Sequence, residues 1–93
     1  MQSITSEQLK RLIDNSNSPE LIDIREPWEY ETCRIDSSTN LPMSEIVNSH
    51  EKLDKKPKNV VICHHAARSL QVASYLESTG FENVINLEGS VDL

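Results

Sequence analysis

Apolar residues follow two rhythms along this chain, one of helical period and one of short unbroken runs. Leu9, Leu12 and Ile13 recur at i, i+3 and i+4, and Thr5 stands three residues before Gln8, the spacing of a capping box, so a helix is predicted over residues 6–14. The polar stretch Asn15-Ser16-Asn17-Ser18-Pro19 ends it, and Leu21-Ile22-Asp23-Ile24, rich in β-branched residues, reads as a buried strand. Pro27 suits the first position of a short helix through Trp28, Tyr30 and Glu31, after which Asn40-Leu41-Pro42 reads as extended. Ile46, Val47 and Leu53 keep helical spacing over residues 44–53, and Asp54-Lys55-Lys56-Pro57-Lys58 is a charged, solvated connection.

The strongest strand signal is Asn59-Val60-Val61-Ile62-Cys63, a continuous apolar run too short for a helix and suited to burial on both faces, as in the centre of a parallel sheet. A helix over residues 68–78 follows, with Leu70, Ala73, Tyr75 and Leu76 as its apolar side. Gly80 sits where a left-handed C-terminal cap is wanted, with Phe81 returning to Leu76. Val84-Ile85-Asn86-Leu87 supplies a further strand. Strands alternate with helices and no segment repeats, so the fold class is α/β, a parallel sheet flanked by helices on both faces.

Composition narrows the function. Ninety-three residues allow one small domain, residues 1–93, and a core too slight to enclose haem or flavin. With 15 acidic against 9 basic side chains the net charge is -6, which repels nucleic acid, and the cations cluster only at Lys52, Lys55, Lys56 and Lys58. No apolar stretch approaches the roughly 20 residues of a membrane span, and the first residues lack the blocks of a secretory signal; the chain is read as cytoplasmic. Two cysteines, Cys33 and Cys63, cannot build a disulfide framework, and a reducing compartment leaves them as thiols.

Cys63 ends the best strand and is followed by His64-His65-Ala66-Ala67-Arg68-Ser69, with a helix expected to begin at about Arg68. Open α/β sheets place ligands at that edge. Four residues between a strand-end thiol and a helix-start arginine are enough for a loop to curl around the sulfur, aiming backbone N–H groups and a positive helix end at it. Such a cradle favours a thiolate nucleophile and binds an anion.

Cys63 to Ser69 resembles the active-site loop of rhodanese-like sulfurtransferases. Asp23-Ile24-Arg25-Glu26-Pro27-Trp28-Glu29-Tyr30 is similar to the family's aspartate, arginine and aromatic stretch, Asn40-Leu41-Pro42 to its short N-I-P segment, and Gly80-Phe81-Glu82-Asn83-Val84 with Asn86-Leu87-Glu88-Gly89 to its closing strand. The resemblance covers nearly the whole chain. It implies that Cys63 takes sulfane sulfur from a small anionic donor such as thiosulfate, holds it as a persulfide, and passes it to a thiol or protein acceptor, with no metal or organic cofactor. His64, His65, Ala66, Ala67, Arg68 and Ser69 then line the substrate loop, and Asp23 and Arg25 brace it by pairing. The related cell-cycle phosphatases place five residues between cysteine and arginine, which enlarges the ring to hold a phosphate; four here favour sulfur transfer.

Departures from the family pattern leave a second class of function open. Glycine is usual where Cys33, Ser37, Ala66 and Ser90 stand, and if the loop needs positive φ at Ala66, its Cβ costs about 1 kcal/mol and distorts the N–H cradle. An aromatic residue and a last helix usually follow the position of Gly89, so one sheet face is expected to be thinly covered or the chain shortened. A non-catalytic rhodanese-like module that docks partners is therefore the alternative to an enzyme. Adjacent His64 and His65 lack the spacing of zinc motifs. Arg68 serves either an anion or a carboxylate such as Asp23 or Glu88. Cys33, separated from Cys63 by 29 residues, is either a resolving thiol or a small core residue, and Trp28 and Tyr30 are expected in the core or pocket wall.

Overall fold

The structure, a computed structural model, describes residues 2–14, 19–32, 34–35, 37–63 and 66–88. Five strands, β1 (Gln2–Ile4), β2 (Glu20–Asp23), β3 (Thr39–Asn40), β4 (Lys58–Ile62) and β5 (Asn83–Leu87), form one sheet in the order β1-β5-β4-β2-β3. Every pairing is parallel, with Asp23 opposite Ile62 and Val60 opposite Ile85 in the two central ladders. The apolar run of β4 thus lies at the centre, where only side chains tolerant of burial on both faces fit. The short β1 and β3 form the edges, which limits exposed ladder groups.

Alternation along β4 divides the core. Val60 and Ile62 join Ile4, Leu21, Ile85 and Leu87 beneath α1 (Ser6–Asp14), which contributes Leu9, Leu12 and Ile13. Val61 and Cys63 turn to the other face, meeting Ile22, Ile24 and Val84 together with Ile46 of α3 (Ile46–Ser49) and Val72, Ala73 and Leu76 of α4 (Ala66–Ser78). The capping box of α1 is reciprocal: Gln8 N–H donates to Thr5 Oγ1 at 3.2 Å and Thr5 N–H to Gln8 Oε1 at 2.9 Å. At the end of α4, Phe81 N–H reaches the Leu76 carbonyl and Gly80 N–H the Glu77 carbonyl, each at 3.2 Å, with Gly80 at φ +102°: a Schellman cap.

Three expectations are corrected and one strand, unforeseen, is added. Strand β1 has no sequence signature, since Ile4 is its single apolar residue and its partner β5 lies at the far end of the chain. Residues 44–53 do not form one helix; 3₁₀ turns at Met43–Glu45 and His50–Lys52 flank the single α-turn of α3. Helix α4 begins at Ala66 rather than Arg68, and its buried stripe is Ser69, Val72, Ala73 and Leu76, leaving Leu70 46% exposed. The charged connection is tied down: Lys55 Nζ donates to the Thr79 carbonyl at 3.0 Å and lies over the Phe81 ring, and Asn59 Nδ2 donates to the Asp54 and Pro57 carbonyls.

Candidate active site

All strands point the same way, so the segments leaving their carboxyl ends gather on one edge. At the centre of that edge is Cys63, the first residue after β4, 2% exposed and packed on the α4 side of the sheet. Beside it the chain of β2 continues, with Ile24 N–H donating to the Ile62 carbonyl at 3.0 Å. Helix α4 opens three residues after Cys63, so the backbone N–H groups of its first turn and its positive dipole end lie at the same edge.

Of the expected loop, His64 and His65 lie outside the described residues, as does Cys33. Ala66 and Ala67 form the first positions of α4. Among the described residues only Gly80 has positive φ, and Ala66 lies within the helical backbone of α4. Arg68, third in the helix, is exposed and forms no ion pair with a described carboxylate. Ser69 points the other way: it is fully buried, and its hydroxyl donates to Asn86 Oδ1 of β5 at 2.5 Å. That bond links the first turn of α4 to the strand beside β4 and fixes where the helix start stands relative to Cys63.

Asp23 and Arg25 form a buried fork at the end of β2. Arg25 Nε donates to both carboxylate oxygens at 2.9 and 3.1 Å, and Nη2 to Oδ2 at 2.8 Å. Arg25 N–H adds a fourth bond, to Oδ1 at 3.0 Å. The Asp23 carboxylate is thereby engaged by Arg25, not by Arg68. Asn40 completes the brace, its Nδ2 donating to the Asp23 and Arg25 carbonyls at 3.0 Å each, while Leu41 and Met43 N–H bind the Asp23 and Ile24 carbonyls. The roles of Asn40 and Asn86 were missed from sequence. A signal existed at Asn86, a polar residue inside the apolar run Val84-Ile85-Asn86-Leu87, since buried amides require partners.

The aromatic stretch after Arg25 divides. Tyr30, half-buried, donates its hydroxyl to the Ser38 carbonyl at 2.5 Å beneath the Arg34 guanidinium. Trp28, in α2 (Pro27–Thr32), is 69% exposed and lies outside the core, because α2 buries none of its residues.

Residues 5–93 match the rhodanese-like domain family. The putative sulfurtransferase YtwF of Bacillus subtilis is 34% identical over 91 residues, 98% of this chain and 87% of that protein. The thiosulfate sulfurtransferase GlpE of Pseudomonas paraeruginosa is 30% identical over 92 residues, 99% and 82% of the two chains. Some relatives are longer, and the chain spans 45% of the putative sulfur carrier protein YrkF of Bacillus subtilis, at 31% identity over 90% of this chain. The crystal structure of SSP1007 from Staphylococcus saprophyticus superposes with a TM-score of 0.91 at 33% identity, covering 99% of this chain and 91% of that one. With a parallel five-stranded sheet, a cysteine ending its central strand and an arginine in the helix that follows, the chain belongs to the rhodanese-like domain family, among relatives named sulfurtransferases.

Proposed function

We propose that the protein is a rhodanese-type sulfurtransferase in which Cys63 carries sulfane sulfur as a persulfide. The observation that carries this reading is the position of Cys63 at the carboxyl end of the central strand, three residues before the start of α4. In the first step the Cys63 thiolate attacks the outer sulfur of thiosulfate; the S–S bond of the donor breaks and sulfite leaves with its electron pair. In the second, an acceptor thiolate attacks the terminal persulfide sulfur, taking it as a new persulfide and returning Cys63 as a thiolate. Donor and persulfide are both anions, and the helix end with Arg68 supplies local positive charge against a global charge of -6. Asp23, Arg25 and Asn40 hold the neighbouring loop in place, and Ser69 anchors the helix through Asn86. Work in the cytoplasm, where a reducing setting keeps Cys63 a thiol, fits the chemistry. Among the described residues no helix is long and apolar enough to cross a membrane.

The 2% exposure of Cys63 favours a second reading, a binding module that keeps the scaffold without the chemistry. Intact-mass spectrometry after incubation with thiosulfate separates the two. A gain of one sulfur on the wild type, absent from Cys63→Ser and retained by Cys33→Ser, supports transfer through Cys63. No gain on the wild type overturns it in favour of the binding module.

A further inference from the structure

Carboxylates lie at both ends of the sheet, but most cations lie at one. Of nine Lys and Arg residues, Lys10 and Arg11 lie in the second half of α1 and Lys52, Lys55, Lys56 and Lys58 on the chain entering β4, toward the amino edge, where the exposed carboxylates of Asp14, Glu20, Glu51, Asp54, Glu77 and Glu82 offset them. Arg25 is engaged by Asp23 and Arg34 lies over Tyr30. On the segments leaving the carboxyl edge, Arg34 and Arg68 are the exposed cations among the described residues, Arg68 being the one in the helix after Cys63, whereas Glu7, Glu26, Glu31, Glu45 and Glu88 are exposed carboxylates and Glu29 is half-buried. The reactive edge thus has a positive centre, formed by Arg68 and the start of α4, inside an acidic surround.

The same edge carries apolar side chains that folding does not explain. Trp28 is 69% exposed in the first turn of a helix that buries nothing, and Leu70 is 46% exposed in the second turn of α4. Val47 of α3 is the remaining large apolar residue left exposed among those described. All three lie on helices that follow the carboxyl ends of β2, β3 and β4. Exposed Trp and Leu with charge around them mark protein contact surfaces, where aromatic anchors dominate affinity and the charged rim governs encounter and specificity.

We infer that the carboxyl edge is a docking face for a protein sulfur acceptor whose thiol is surrounded by Lys and Arg side chains, with Trp28 and Leu70 as the apolar contacts. The acceptor's chemistry rests on the sulfur-transfer reading; the docking does not. A small acceptor has no use for Trp28, and an acidic partner meets Glu7, Glu26, Glu45 and Glu88 as like charges, which costs affinity and slows encounter.

Trp28 is the one tryptophan of the chain, so its fluorescence reports occupancy directly. The full chain is titrated with two peptides sharing an apolar centre, Leu-Ser-Gly-Leu, flanked either by arginines or by glutamates. At low salt the arginine peptide binds at least 10-fold more tightly, and the difference falls toward unity at 0.5 M salt as screening shortens the range of exposed charges. Glu26→Lys/Glu45→Lys removes most of the preference, while Lys56→Glu/Lys58→Glu at the opposite edge leaves it unchanged. Equal binding of the two peptides, preference for glutamate, or loss of preference in the amino-edge variant overturns the docking face. So does a Trp28 signal that tracks the protein's own concentration without peptide, since a second copy then occupies the edge. Thiosulfate loading read by mass in the same samples keeps the two conclusions apart: selective binding without loading sinks the chemistry and leaves the docking face standing.

Discussion

Replacing Arg25 by alanine is expected to be among the most damaging single changes outside the apolar core. The guanidinium and the Asp23 carboxylate are 5% and 1% exposed, and of the four bonds that Arg25 gives that carboxylate three come from its side chain, at 2.8, 2.9 and 3.1 Å. Removing them leaves an anion in the interior with the Arg25 N–H, at 3.0 Å, as its remaining bond from this residue. Truncating one partner of a buried pair costs about 3 to 5 kcal/mol, because the other charge stays desolvated and uncompensated. Domains of this size have a total stability of about 5 to 10 kcal/mol, so Arg25→Ala is left marginally folded. The pair itself contributes far less than that figure, since its desolvation offsets most of its Coulomb attraction. Asp23→Leu/Arg25→Met, which removes both charges while keeping volume, should therefore regain at least about 2 kcal/mol over the single variant. Urea unfolding at pH 7, followed by far-ultraviolet circular dichroism, measures all three proteins and their coupling. A loss below about 1 kcal/mol for Arg25→Ala, or a double variant no more stable than the single, refutes the reasoning and shows that the fork is hydrated in solution.

The remaining predictions concern the two ends of α4. Arg68→Ala should weaken thiosulfate use about 10-fold or more, since a charge-assisted hydrogen bond contributes about 1.5 to 3 kcal/mol, and Arg68→Lys should recover only part of it because a point charge lacks the guanidinium fork. Steady-state kinetics with thermal unfolding of each variant decides: lost stability with unchanged donor affinity makes Arg68 a brace instead. Gly80→Ala should lower stability by about 1 kcal/mol and Tm by about 4 to 8 °C, the cost of a side chain at positive φ. An added Cβ meets only the flexible end of Lys55, at 3.9 Å from Nζ, so backbone conformation and not crowding is the cause, and an unchanged Tm contradicts the Schellman assignment.

Local chemistry made several features legible in the chain alone. The capping box of Thr5 and Gln8 and the glycine stop at Gly80 depend on residues three to five apart, and the structure shows both bonded as those spacings require. The unbroken run Val60-Val61-Ile62-Cys63 announced a strand buried on both faces, and β4 is central. Where position depends on partners far along the chain, sequence was silent or misleading. Strand β1 exists because β5 offers a parallel edge about eighty residues later, not because Gln2-Ser3-Ile4 has strand character. In α4 the face that packs on the sheet is Ser69, bonded to Asn86, with Val72, Ala73 and Leu76, which leaves Leu70 outward, whereas periodicity alone put Leu70 on the apolar side. The aspartate of the fork, Asp23, could not be assigned to Arg25 over Arg68 by spacing, because both arginines reach the same sheet edge; the exit of β2 brings Arg25 within 2.8 Å. The exposure of Trp28 followed no local rule either, since whether a helix buries its aromatic residue depends on what packs against it, and α2 buries none of its residues. Short-range bonding and burial tolerance are written in consecutive residues, while the partners of polar side chains and the covering of helix faces arise only when the sheet assembles.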